Sequence, residues 1–105
     1  MKKQDAGRKM LGDLAPKFAE LNDDVLFGQV WSRTNELSAH NRSMITISAL
    51  IAGGNLAQLP VHLKIGKDNG ITQTEIVEMI THLAFYVGWP KAWSAFNAVK
   101  EVYTS

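Results

Sequence analysis

Apolar residues return every third or fourth position along most of the chain, the spacing of helices that bury one stripe of side chains. Leu26, Phe27, Val30 and Trp31 recur in this way. They predict a helix over residues 24–32, with Asn22 or Asp23 as N-cap and Asp24 in the first turn, where the helix dipole favours a carboxylate. Gly28 inside the segment weakens that reading. Just upstream, residues 17–21 after Pro16 read as a short helix. The stretch Met44-Ile45-Thr46-Ile47-Ser48-Ala49-Leu50-Ile51 is apolar nearly all round, as in a helix covered on several sides. Its three isoleucines would also suit a strand. Length, Ser38 as a cap and Gly53-Gly54 as a stop decide for helix.

The second half is punctuated more sharply. Pro60 is tolerated only in a first turn, so a helix is predicted to start near Gln58 or Leu59 and to end around Asp68-Asn69-Gly70. Thr72 with Glu75 forms a capping box before a helix over Gln73–Val87, which Gly88 stops. Pro90 then opens a last helix at its first position, continued by Trp93, Phe96, Val99, Val102 and Tyr103. The pattern predicts an all-α fold of about five to six helices in one domain, residues 1–105. Residues 1–22 form an arm with short helices in this reading, and residues 23–105 the helical core.

With 105 residues the chain has room for one modest core, yet 46% of it is apolar. The surplus calls for copies of the same chain as partners. A net charge of +1 recommends no polyanion, so no nucleic-acid partner is expected. Lys2, Lys3, Arg8 and Lys9, interrupted by Asp5 and Asp13, read as a solvated arm. The absence of cysteine removes disulfides, thiolate metal sites and any peroxidatic thiol. No apolar run is long enough for a bilayer and no secretion signal is visible, so a cytoplasmic protein without membrane contact is expected.

His62 is the first candidate for chemistry. On its helix it shares a face with Leu59, Ile65 and Gly66. Burial and the nearby helix start both disfavour the imidazolium, and a neutral ring donates from one nitrogen while accepting at the other. A core histidine bonded to a backbone carbonyl fits the same pattern. His82 stands four residues from both Glu78 and Tyr86. Glu78 could orient its ring and Tyr86 share its pocket, or the trio could serve packing and subunit contact. His40 lies in a polar helix start and receives no role. Arg33 and Arg42 are candidate anion anchors, with an ion pair between subunits as the alternative for Arg42. Trp31, Trp89 and Trp93 suit cores or interfaces as well as a binding wall. Glu78-x-x-x-His82 alone makes no metal site, and no metal is expected.

From Val30 onward the ordered segments resemble one family. Val30-Trp31-Ser32-Arg33 comes first, followed by Asn41-Arg42-Ser43-Met44 with the apolar helix, and Leu59-Pro60-Val61-His62-Leu63. Asn69-Gly70-Ile71-Thr72 with Glu75-Ile76 and Glu78, and Tyr86-Val87-Gly88-Trp89-Pro90-Lys91-Ala92, complete the set. Together they resemble the carboxymuconolactone decarboxylase family over residues 30–102. The resemblance implies the AhpD-like helical fold and assembly as a homotrimer or homohexamer. The alkylhydroperoxidase branch carries Cys-x-x-Cys ahead of its histidine; here those positions hold Asn55 and Gln58, and the relay glutamate position holds Ser43. The chain therefore resembles the gamma-carboxymuconolactone decarboxylase branch, although Ser43 departs from the glutamate common there.

That branch implies decarboxylation of a small carboxylated lactone with no cofactor. The substrate's own alkene and lactone carbonyl take up the electrons as CO2 leaves. His62, with His82 and Tyr86 beside it, is then expected to serve as oxyanion donor or proton shuttle. Arg42, Arg33 and Trp31 are expected to hold the carboxylate-bearing ligand. The oligomer gives a direct test of the apolar surplus: sedimentation equilibrium at micromolar concentration should return a trimer or hexamer mass. A monomer mass would exclude self-assembly.

Overall fold

The computed structural model describes residues 4–103; Lys2 and Lys3 of the expected basic arm lie outside them. Six α-helices and one π-helical segment account for nearly all of the chain, and no strand occurs among the described residues. They are α1 Ala6–Leu11, α2 Pro16–Glu20, the π segment Leu21–Trp31, α3 Ala39–Gly53, α4 Leu59–Asp68, α5 Gln73–Val87 and α6 Trp89–Tyr103. None of these helices is long and apolar enough to cross a membrane. The chain falls into two compact units that divide at the start of α3, the first ending at Ala39 and the second beginning at His40.

In the first unit residues 6–11 of the arm form a short helix, with Arg8 and Lys9 exposed. Residues 6–11 are helical because the donors of their first turn are satisfied from a distance. The Asp23 carboxylate accepts from the backbone N–H of Gly7 and of Arg8, both at 2.9 Å, and Gln4 Oε1 accepts from Ala6 N–H at 3.0 Å. Asp23 thus caps α1 and not the helix it stands in. Although burial opposes its ionisation, hydrogen bonds from Asn22 and from the Arg8 and Gly7 backbone, with the Arg8 charge, hold its carboxyl below the usual range. Gly7 permits this contact: a Cβ there would stand 2.7 Å from Asp23 Oδ1 and 2.9 Å from the Ala19 carbonyl. Arg8 closes the arrangement with a two-pronged bond to Asp24, at 2.8 and 2.7 Å.

The expected break at Asn22 or Asp23 is also absent, since α2 runs straight into the π segment with helical backbone at Glu20 and Leu21. Wider winding spoils the 3.6-residue register on which the sequence reading relied. Trp31 is buried and stacks on Phe27 at 5.6 Å, while Leu26 and Val30 remain about two-fifths exposed.

The second unit follows the α-helical register closely. Each helix buries a stripe spaced three or four residues: Ser43, Ile47 and Ile51 on α3; Leu59, Leu63 and Gly66 on α4; Ile76, Ile80 and Ala84 on α5; Ala92, Ala95, Val99 and Val102 on α6. Their apolar members and Ile71 form one core cluster. Two turns of the same type end α3 and α4. In each, a glycine of positive φ (Gly54, +72°; Gly70, +97°) donates to the carbonyl three residues back, and the next residue donates to the carbonyl five back. The turn after α4 drives Ile71 into the core.

Polar contacts then fasten the ends. Lys91 Nζ donates to the Ala52 carbonyl at 2.8 Å, tying the start of α6 to the end of α3. Tyr103 Oη donates to the Ile71 carbonyl at 2.9 Å, and Lys67 Nζ donates to the Val102 carbonyl at 3.1 Å. The Thr72–Glu75 capping box forms as the sequence predicts, but Glu75 has a second duty. One oxygen accepts from Thr72 N–H at 2.9 Å, and the other lies 3.1 Å from His40 Nε2 at the start of α3. Asn41 Oδ1 holds the other ring nitrogen at 2.8 Å. Asn41 first, then Glu75, raises the His40 pKa; the Thr72 backbone first, then His40, lowers that of Glu75. Pro90 is the second residue of α6 and not the first, a shift of one position.

Two outcomes follow from this packing. Ile80→Ala, in the middle of the core, should cost about 2–5 kcal/mol in denaturant unfolding. Ile45→Ala, at a side chain 57% exposed on α3, should stay within about 0.5 kcal/mol. Equal losses would refute the assignment of Ile80 to the core and of Ile45 to the exposed surface. The His40–Glu75 contact contributes stability that is complete below the unfolded histidine pKa of about 6.5 and is lost as pH rises through the raised folded value. The thermal midpoint of the wild type should therefore decline as pH rises from about 6.5 through the raised folded value, and His40→Gln should flatten that slope.

Candidate functional site

His62 owes its position to the start of α4. Pro60 sets the helical φ in the first turn without sacrificing a needed donor, and His62 N–H then donates to the Gln58 carbonyl at 3.4 Å. The stripe Leu59–Leu63–Gly66 faces the core, and the imidazole emerges beside it, partly buried, with Nδ1 inside the protein. Burial lowers the His62 pKa, opposite to the shift at His40. Near neutral pH the ring is therefore uncharged, able to donate from one nitrogen and accept at the other.

One turn beyond, Gly66 brings α4 close to α3. A Cβ there would lie 3.0 Å from the Cδ1 atoms of both Ile47 and Ile71, and 3.5 Å from Ser43 Cβ. Ser43 is 1% exposed, and its hydroxyl accepts from Asn69 Nδ2 at 3.0 Å. The position that the resemblance assigns to a relay glutamate therefore holds a small, packed hydroxyl bonded to the end of α4. Asn55 and Gln58, at the positions of the peroxidase cysteines, are both exposed. Cysteine is absent from the whole chain.

Arg42 lies in the first turns of α3, partly buried, one residue before Ser43. Its carbonyl accepts from Thr46 Oγ1 at 2.8 Å. Arg33 and Trp31 belong to the first unit, Arg33 exposed just past the π segment and Trp31 packed on Phe27.

His82 and Tyr86 do come together, their rings 5.1 Å apart and tilted by 34° on an exposed face of α5. His82 borders an open groove of about 450 Å³. Partly buried Met44, Met79 and Leu83 give the groove its apolar surface, and Glu75 and Glu78 its charge. The geometry thus separates the candidates into an uncharged histidine on α4, one turn before Gly66, and a histidine on an acidic groove of α5. No group of three or more metal-ligating side chains gathers among the described residues.

The sequence reading missed His40 as a contact of Glu75 and Asn69 as the partner of Ser43. A histidine 35 positions from its carboxylate leaves no local pattern to read. The Asn69–Ser43 pair, 26 positions apart, is non-local too, although Asn-Gly after a helix did mark the turn that carries it.

Comparison with known proteins bears on the reaction. The model of the carboxymuconolactone decarboxylase family matches residues 16–101, from α2 into α6. A 4-carboxymuconolactone decarboxylase of Acinetobacter baylyi is 36% identical over 93 residues, covering 89% of this chain and 69% of that protein. A nitrosuccinic acid decarboxylase of Metarhizium robertsii is 33% identical over 76 residues. That match covers 72% of this chain, which spans about half (52%) of the fungal protein. With its helical fold and this match along most of its length, the chain belongs to the carboxymuconolactone decarboxylase family.

Proposed function

We propose that this chain is a decarboxylase acting on a small carboxylated substrate that carries its own electron sink, with no organic cofactor. The observation that supports this most is a shared reaction on dissimilar substrates. One relative is named for a carboxylated lactone and the other for a nitro acid, and both are named as decarboxylases. In an unsaturated lactone acid, the electrons of the broken C–C bond can run to the lactone carbonyl. In a nitro acid they can run to the nitro group. In either case CO2 leaves, an oxyanion forms on the sink, and a proton must reach carbon. The protein then needs only to bind, to stabilise the oxyanion and to deliver the proton.

In this reading His62 meets the oxyanion or carries the proton. Its uncharged state suits both tasks, because a neutral imidazole can donate to the developing oxyanion and exchange a proton at carbon. Arg42 is the anchor for the carboxylate that stays. An arginine gripping the departing carboxylate would stabilise a charge that disappears in the transition state, which opposes catalysis. The apolar surroundings of α4 suit the reacting carboxylate instead. His82 and Tyr86 share a face with Glu78, which would repel an anionic substrate; we assign them no step. Self-assembly of the chain into trimers or hexamers belongs to the same proposal.

Ser43 favours a second reading. A packed serine at the relay position also fits an assembly protein that keeps the fold without the reaction. A thiol peroxidase has no nucleophile here.

Decarboxylation assays on 4-carboxymuconolactone and on nitrosuccinate separate these readings. His62→Gln should lower kcat/KM by roughly 100-fold while leaving the melting temperature nearly unchanged. Arg42→Lys, which keeps the charge and loses the two-pronged fork, should mainly raise KM. A loss of about 1–3 kcal/mol of stability in His62→Gln, with kcat per folded molecule intact, would identify a structural histidine. No release of CO2 from either acid by the wild type would favour the assembly protein.

A further inference from the structure

The groove that His82 borders stands apart from the proposed decarboxylation site in both residues and charge. Its apolar surface comes from Met44 on α3 and from Met79 and Leu83 on α5, two of the three being flexible, polarisable thioethers. Ser48 holds the methionines in register, its hydroxyl 2.8 Å from the Met44 carbonyl and 3.7 Å from the Met79 sulfur. At about 450 Å³ the opening lies within the range of small-molecule sites.

Two carboxylates share this apolar surface, and they differ in their engagement. Glu75 is occupied at both oxygens, by the Thr72 backbone and by His40. Glu78, one turn along α5, has no hydrogen bond or ion pair among the described residues. The groove therefore offers an apolar wall beside an exposed carboxylate that has no ion-pair partner among the described residues. His82, one further turn along, adds a ring face next to Tyr86. A carboxylic acid would meet like charge here, and a neutral apolar molecule would leave Glu78 unanswered. The complementary ligand has an apolar body and a single cationic head.

We propose that the groove between α3 and α5 is a binding site for a small organic cation, an ammonium carried on an aryl or alkyl body. The ammonium pairs with Glu78, and the body lies on Met44, Met79 and Leu83. The proposal does not depend on the decarboxylation reading, since it uses neither His62 nor Arg42.

Three probes of one shape test it on the full chain: phenethylamine, phenethyl alcohol and hydrocinnamate, cationic, neutral and anionic respectively. Amide chemical-shift titration should place the amine at Ser48, Glu78, Met79 and His82. The amine should bind about fivefold more tightly than the alcohol, the scale of one exposed ion pair, and hydrocinnamate should bind more weakly still. Glu78→Gln should erase the advantage of the amine over the alcohol while leaving the melting temperature unchanged, because Glu78 supports no other contact. Met79→Ala should weaken amine and alcohol alike. Equal binding of all three probes, perturbations centred elsewhere, or an undiminished preference for the amine in Glu78→Gln would each overturn the proposal. So would a groove that ignores phenethylamine and takes up a lysine-rich peptide, which would mark a macromolecular docking face.

Discussion

The close approach of α4 to α3 at Gly66 is the constraint on which the second unit depends. Any side chain at that position would press on the tips of Ile47 and Ile71 and crowd Ser43. With glycine there, the α4 backbone settles between residues from α3 and from the turn that follows it. Three consequences come from that one contact. Ile71 reaches the core immediately after the turn, Asn69 comes within hydrogen-bonding distance of Ser43, and His62, one turn earlier, is held partly buried beside an apolar stripe. The burial that lowers the His62 pKa is thus produced by packing.

His40 shows the opposite use of the same side chain. It stands at the polar start of α3, where Asn41 and Glu75 favour its charged form. Glu75 can serve it because the capping box needs only one carboxylate oxygen. A local helix-start motif therefore doubles as a tie between α3 and α5, and Tyr103 feels the same carboxylate from α6. Two histidines of one small unit are pushed in opposite directions by burial and by hydrogen bonding.

What the sequence disclosed follows from how local each signal is. The capping box at Thr72 and the glycine turns at Gly54 and Gly70 depend on neighbours within a few residues, and they are found where the pattern puts them, whereas α3, read as covered on several sides, leaves Ile45 exposed, and α6 leaves Trp93 exposed. The first unit was misread for the same reason. Gln4 serves the Ala6 donor of α1 locally, but the Gly7 and Arg8 donors are met by a carboxylate 16 and 15 positions away. The π winding of Leu21–Trp31 cannot be seen in a pattern that presumes 3.6 residues per turn. The candidate site was legible in part. His62 could be singled out as an imidazole on an apolar face, but the close approach of Gly66 to Ser43 one turn later required the fold.

The serine at position 43 bears most directly on how such a site could work. A carboxylate buried there would have needed a partner or a proton, and it would have put a negative charge near the histidine. Ser43 brings neither demand. Its hydroxyl is satisfied by Asn69, and the α3–α4 contact stays apolar and close-packed. A thiol-based reaction needs a relay that moves protons to and from sulfur, which makes a buried carboxylate useful. Loss of CO2 from a substrate with its own electron sink asks for less: a neutral donor, a dry surface and an anchor for the carboxylate that remains. The uncharged His62 and the packed Ser43 fit that smaller set of requirements, so the serine need not count against decarboxylation. In the proposed reaction the serine would leave proton delivery to His62.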